Sequence, residues 1–515
     1  MSRRAGNAPV LDSPLLDPND ATSPSRRVEL LRTLHPDRAA DPPPASGWPK
    51  WLPRPGVGPR GRYAGRVPLP LRIPTHTEST RSLCGLYPWL AGAGLPQLGP
   101  LIGRDRFSRQ RFCYDPWQLY AAGLLEDAGI IETGAIGSGK TSLSMSLLVR
   151  SLAFGHSFAV PADMKGEWVT LAEKVGGTVL RLGPGMFERL NALAMPAKPD
   201  GIAPEQWWMT VRTHWEELIA SLVRTLLPGQ RELAPFESTA IETALTTASR
   251  WDEVGGAIAR LQPLSLGRLV DQLRDPDEHM ADVIGMPVER LKEELRDIYL
   301  TLRRLTAGSL GGLVDDERED NQIDVATPTV VDLSRVQASD ASIALVMACT
   351  QSTIELAAAH RVARRFIVYD EAWRLMRFPA LVGRINAGQR LSRKNGGSTV
   401  LITHRITDLE LGGAESRGYA MDLLGDCSTR IVYRQRADAI DATARLLDLS
   451  DAQSQFLPQL QQGCALWQIR NEPYMIDHFV PKPSAEWDLV NSDAAMVADY
   501  HSLADVPSAD LFAGV

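Results

Sequence analysis

Gly134-Ala135-Ile136-Gly137-Ser138-Gly139-Lys140-Thr141 is the stretch whose residue types and spacing carry the clearest chemistry in this chain. Glycines let backbone N–H groups approach anionic oxygens, a helix beginning at Lys140 offers the partial positive charge of its N-terminus, and the lysine adds a full one. Thr141 supplies a hydroxyl suited to magnesium, and Ser142 follows in the same first turn. The pattern G-x-x-x-x-G-K-[ST], set between a strand-like Gly129–Thr133 and a helix-like run from Lys140 to about Ala153, therefore predicts a cradle for ATP and Mg2+.

Hydrolysis needs a second half: a buried strand that delivers carboxylates, since ligands of open α/β sheets sit beyond the carboxyl ends of the strands. Arg365-Phe366-Ile367-Val368-Tyr369-Asp370-Glu371 fits this requirement. Asp370 is assigned to magnesium, directly or through water, and Glu371 to the attacking water as general base. Charge that builds on the γ-phosphate calls for an arginine, which ring ATPases draw from a neighbouring subunit. Arg390, Arg393, Arg430 and Arg434 are candidates, with Arg393 and Arg434 foremost, and Thr403-His404 at the next strand end are candidates for sensing the γ-phosphate.

The elements that must position these groups follow from pattern. Short apolar runs at 129–133, 157–160, 178–182, 328–333, 365–369, 398–403 and 430–433, separated by helical stretches, predict an α/β fold with a parallel-rich sheet. Between 200 and 319 the strand signals vanish, and Leu291, Leu295, Ile298, Leu302 and Leu305 recur at spacings of four and three, an apolar stripe on one helix. An all-α insertion is expected to interrupt one nucleotide-binding core, built from 129–199 and 320–483, with a small flanking region at 75–128.

Composition bounds the rest. Fifteen of the 36 prolines and twelve Lys plus Arg against six Asp plus Glu fall in residues 1–74, which reads as a Pro/Arg-rich disordered tail. The formal net charge of −7 then leaves −13 on the remainder, a poor nonspecific grip on DNA. After Lys482 there are six carboxylates and no Lys or Arg, so 484–515 reads as an acidic, mobile tail. Cys84, Cys113, Cys349, Cys427 and Cys464 show no paired spacing of the kind that binds zinc. No run of about eighteen apolar residues occurs, and no secretory signal is read at the start, so the expectation is cytoplasmic, with membrane association only through partners.

Other segments carry a family likeness. Asp163-Met164-Lys165-Gly166-Glu167-Trp168, Leu182-Gly183-Pro184-Gly185, Gly308-Ser309-Leu310-Gly311-Gly312-Leu313 and Asp370-Glu371-Ala372-Trp373 occur in this order. Ser392-Arg393-Lys394-Asn395-Gly396 and Leu460-Gln461-Gln462-Gly463-Cys464-Ala465-Leu466 follow. Over about Thr75 to Ala495 the chain resembles the VirB-four/TraC family of type IV secretion and conjugation ATPases, within the HerA/FtsK group. It departs in Thr403-His404 where the family often has Thr-Gln, in Asn191-Ala192 where it has Asn-Pro, and in its smaller N-terminal part. The resemblance implies a RecA-like ATPase core and a ring-forming homo-oligomer, a hexamer. It further implies docking on the inner face of the cell membrane through channel components, and transfer of protein or DNA–protein cargo. A nucleotide-switched assembly factor with little turnover, and a DNA-translocating HerA/FtsK-like pump or coupling protein, are the rival readings.

Overall fold

Thirteen strands account for the framework among the described residues: β1 (Leu101–Asp105), β2 (Arg111–Cys113), β3 (Ile130–Thr133), β4 (Ser157–Asp163), β5 (Thr178–Arg181), β6 (Asp252–Val254), β7 (Ala257–Ala259), β8 (Thr329–Asp332), β9 (Arg365–Asp370), β10 (Gly397–Thr403), β11 (Thr429–Val432), β12 (Cys464–Ile469) and β13 (Glu472–His478). The computed structural model describes residues 94–490 apart from 184–185, 187, 228–230, 249–251, 255–256, 260–263, 308–310, 312, 316–322, 324–325, 337–339, 360–362, 372–377 and 408–413; side chains at 252–259, 340–342, 388–395 and 414–416 are also outside the description. The expected tail at 1–74, the start of the flanking region, Ala372, Trp373 and the side chain of Arg393 therefore lie outside it.

Eleven strands form one sheet in the order β2-β1-β13-β12-β11-β3-β10-β9-β4-β8-β5. From β11 to β5 every pairing is parallel, and from β11 to β2 every pairing is antiparallel. Parallel neighbours need crossover connections, and helices such as Lys140–Leu152 between β3 and β4 supply them. Both faces are consequently covered, and strand residues alternate between two cores. Phe366 and Val368 of β9 pack with the Lys140–Leu152 helix, whereas Ile367 and Tyr369 pack on the side of the helical insertion.

The insertion is helical, with one two-stranded ribbon, β6–β7, that the apolar pattern does not announce. Its longest helix, Pro204–Leu226, starts with proline in the first turn and buries Trp207, Trp208 and Trp215. The leucine stripe is split between two helices, Val288–Glu294 and Arg296–Thr306, rather than carried on one. All five stripe residues are nonetheless fully buried. A break at Leu295 keeps the spacing because Leu295 stays close to helical geometry.

Only the start of the expected acidic tail, up to Val490, lies within the described residues. Ala485–Val490 is a helix, anchored on the Lys140–Leu152 helix by Arg150–Glu486 at 2.8 Å and by the Ser142 hydroxyl on the Val490 carbonyl at 2.7 Å.

His214 on the helix Pro204–Leu226 joins the insertion to the core: its Nε2 lies 2.8 Å from Ser352 Oγ and 2.9 Å from Arg384 Nη2. Burial, then the Arg384 charge, pushes its pKa down to about 3. An unfolded histidine titrates near ~6.5, so between those values the unfolded chain binds a proton that the native chain does not. Stability therefore falls as pH drops below about 6.5. Melting curves from pH 7 to pH 4 should fall less steeply for His214→Gln than for the wild type; equal slopes would show that His214 contributes nothing to the acid sensitivity.

Candidate nucleotide site

The loop between β3 and the helix Lys140–Leu152 is held in shape by its neighbours. Ala135 N–H donates to the Arg434 carbonyl at 2.9 Å, and Gly463 N–H, from the turn before β12, donates to the Ser138 carbonyl at 3.0 Å. Gly137 and Gly139 adopt φ of 73° and 107°, the left-handed region that glycine reaches without strain. Gly134 is required for a different reason: a Cβ there would lie 2.5 Å from Tyr433 Cβ. Tyr433 thus fills the space in which a side chain would otherwise stand.

Lys140 is buried, and its ammonium donates to the carbonyls of Gly134 at 2.6 Å and Ala135 at 3.1 Å. Burial lowers its pKa to about 8, against the attraction of Glu132 and Asp370. Glu132 was not anticipated from the sequence. It is fully buried on β3, accepts from Ser144 Oγ at 2.8 Å, and burial pushes its carboxyl up to about 8. A charged residue inside an otherwise apolar strand run, two positions before the loop, was the available signal.

Register brings the second half of the site alongside. Thr133 pairs with Thr403, and Asp370 pairs with Ile402, so Glu371 leaves the sheet level with Thr403 and Thr133. Asp370 is pushed up by burial and lowered by its bond from Trp168 Nε1 at 3.2 Å. Glu371 has φ of 61°, unusual for a side-chain-bearing residue. Its Oε1 lies 2.8 Å from Lys165 Nζ and 3.2 Å from His404 Nε2.

The Asp163–Trp168 segment is what places these donors. Asp163, at the end of β4, is buried and its carboxylate accepts the backbone N–H groups of Lys165 (3.2 Å), Gly166 (2.8 Å) and Trp168 (2.8 Å). Gly166, at φ 73°, completes the turn.

The remaining expected residues are distributed less tightly. His404 stands at Glu371, but the Thr403 hydroxyl donates to the Arg405 carbonyl at 2.9 Å. The Ser142 hydroxyl donates to the Val490 carbonyl at 2.7 Å, while its backbone lies in the first helical turn after the loop. Arg434 is exposed at the end of β11 beside the loop, whereas Arg430 donates to the Leu447 carbonyl at 2.7 Å. Arg390 and Arg393 lie on the helix Pro379–Asn395, with side chains outside the description.

Ser138 Oγ, Thr133 Oγ1, Glu132 Oε2 and His404 Nδ1 are buried without a hydrogen-bond partner. Native interiors rarely leave such atoms unsatisfied, and their gathering around one loop fits a polar ligand there. Among the described residues no three His, Cys, Asp or Glu side chains cluster as a metal site, and the sequence assigns magnesium only Thr141 and Asp370. That sparse set suits an ion that keeps waters and takes further oxygens from phosphates. A cavity of about 1020 Å³ lies elsewhere, lined by His214, Gln351, Glu355, Tyr369 and Arg384 and by no residue of the loop.

Sheet order, glycine loop and strand-end carboxylates together define a RecA-like P-loop fold. VirB4 of Thermoanaerobacter pseudethanolicus has the same fold: it aligns at a TM-score of 0.58 and 19% identity, over 77% of this chain and 100% of that one. The bacterial conjugative coupling protein TrwB in a sulphate complex aligns at 0.48 and 10% identity, over 76% of this chain and 96% of that one. TrwB with ADP and Mg2+ aligns at 0.47 and 11%, over 69% and 86%. No protein-family profile and no curated protein matches the sequence. Among the described residues no helix is long and apolar enough to cross a membrane.

Gly134→Ala is expected to abolish binding of a fluorescent nucleotide, because the methyl group and Tyr433 cannot share the space. Gly137→Ala, with open space but a left-handed backbone, should cost about 1–2 kcal/mol of stability. Undiminished nucleotide affinity in Gly134→Ala would show that this loop does not hold the phosphates.

Proposed function

We propose that this chain is an ATP-hydrolysing motor of a type IV secretion or conjugative transfer system. The observation that carries the ATPase reading is the meeting of Lys140 with Asp370 and Glu371 at the ends of strands separated by β10 alone. The family part rests on the motif order in the sequence, supported by the VirB4 fold.

In this reading the backbone N–H groups of 134–141 and the Lys140 ammonium hold the β- and γ-phosphates. Thr141 and Asp370 would hold magnesium, which when bound neutralises phosphate charge. Glu371 orients a water molecule and takes its proton while the water oxygen attacks the γ-phosphorus. The bond to the bridging oxygen breaks, and ADP leaves with that electron pair. Lys140 must leave the carbonyls of Gly134 and Ala135 to meet the phosphates, an exchange of neutral acceptors for charged ones that favours binding.

Charge accumulating on the γ-phosphate is met by Arg393 or Arg434 of a neighbouring copy in a homo-oligomeric ring, a hexamer. Arg434 is exposed, as a side chain that reaches a neighbouring copy must be. Thr403 and His404 follow the loss of the γ-phosphate, His404 through its contact with Glu371. Channel components at the inner face of the cell membrane and a protein or DNA–protein cargo complete the proposal.

Glu371→Gln is expected to bind ATP and lose at least about 100-fold in turnover, and Lys140→Ala to lose binding. Phosphate release with purified protein and channel components tests this. Wild-type protein that binds ATP but shows no steady-state hydrolysis with any partner would replace the motor by a nucleotide-switched assembly factor. Mixing Lys140→Ala with Arg393→Ala subunits should restore activity if Arg393 acts across the interface, and no recovery at any ratio counts against it.

A further inference from the structure

Asp370 and Glu371 do not stand alone at the end of β9: the loops that follow the strands on either side reach over to them. β9 is flanked by β10 and β4. His404, after β10, approaches Glu371 Oε1 to 3.2 Å, and Lys165, after β4, approaches the same oxygen to 2.8 Å. From the same β4 loop, three residues on, the indole N–H of Trp168 donates to Asp370 Oδ2. One turn therefore touches both carboxylates of the proposed site.

From this geometry we infer that the Asp163–Trp168 turn is the positioning element of the two carboxylates, with Lys165 as positioning residue for Glu371 and Trp168 for Asp370. The inference rests on the proposed ATPase reading and deepens it. Its physical basis is rigidity. A lysine is a poor locator when it hangs from a mobile loop, because its four-carbon stem has many rotamers. Here the backbone under it is fixed by three hydrogen bonds to one buried carboxylate, and Trp168, fully buried, anchors the far end of the turn.

The charge pattern agrees with this role. Burial opposes the Lys165 ammonium, yet the hydrogen bond and charge of Glu371 hold its pKa above the ordinary value. The Lys165 charge also adds to the lowering of the Lys140 pKa. Glu371, in a left-handed backbone conformation, has reason to need such support: that conformation is strained for a residue with a side chain and persists only where surroundings enforce it. Productive orientation of a catalytic group tolerates only about 0.5 Å of displacement, which a lost ion pair readily exceeds.

Lys165→Met keeps the stem and removes the charge. It is expected to lower kcat by 10-fold or more with the KM for ATP changed less than about threefold, because it spoils the placement of the base and not the phosphate grip. Lys165→Arg should recover part of the loss. Trp168→Phe should raise the magnesium concentration needed for half-maximal rate by 5-fold or more, at a KM for ATP measured in saturating magnesium that stays unchanged. A crystal structure of Lys165→Met gives a readout independent of turnover: the Glu371 carboxylate should move by more than about 1 Å. Unchanged kcat in Lys165→Met, or a carboxylate that stays in place, would overturn the inference while leaving the ATPase reading intact. Absence of hydrolysis in the wild type would remove the ATPase reading itself, and the crystal structure would still decide whether Lys165 positions Glu371.

Discussion

Hydrogen-bonded register among four parallel neighbours, β3, β10, β9 and β4, is the constraint on which the site depends. Side by side and pointing one way, these strands release their chains at nearly the same height. The glycine loop follows β3, Thr403-His404 follow β10, Asp370 and Glu371 end β9, and the Asp163 turn ends β4. A slip of one residue in β9 would turn Asp370 to the other face and exchange it with Tyr369, which is buried on the insertion side. Apolar alternation protects against that slip, because Phe366 and Val368 belong to one core and Ile367 and Tyr369 to the other.

Such convergence has an electrostatic cost. Lys140, Glu132, Asp163 and Asp370 are all withdrawn from water, and burial moves each pKa toward its neutral form. Neighbouring protein groups offset part of this internally. Lys140 turns to its own loop carbonyls, Glu132 takes a serine hydroxyl, and Asp163 takes three backbone donors. In the proposed complex an anionic ligand would meet Lys140, and a divalent cation Asp370, more strongly than these internal partners do.

Much of this was legible in the sequence because the signals are local. The loop 134–141 and Asp370-Glu371 each announce themselves within eight residues, and the parallel strands between 129 and 433 follow from short apolar runs. Other features were not legible because they join residues distant in sequence. Gly463 supports the loop through a strand order that no local pattern encodes, and the Ser142 hydroxyl donates to a helix about 350 residues further on, at Val490. The motif Asp163–Trp168 was visible, but its contacts with Asp370 and Glu371 depend on β4 lying beside β9. The leucine stripe misled on helix number because a joint that keeps near-helical geometry leaves the spacing unchanged.

The claim that the loop, the β9 carboxylates and the Asp163 turn form one hydrolytic site is tested most directly by a crystal structure with a non-hydrolysable ATP analogue and magnesium. Lys140 is expected to have left the carbonyls of Gly134 and Ala135 for the phosphates, with magnesium between Thr141 and Asp370 and Glu371 facing the γ-phosphate. Nucleotide bound away from 134–141, or magnesium with no contact to Thr141 or Asp370 directly or through water, would contradict the account.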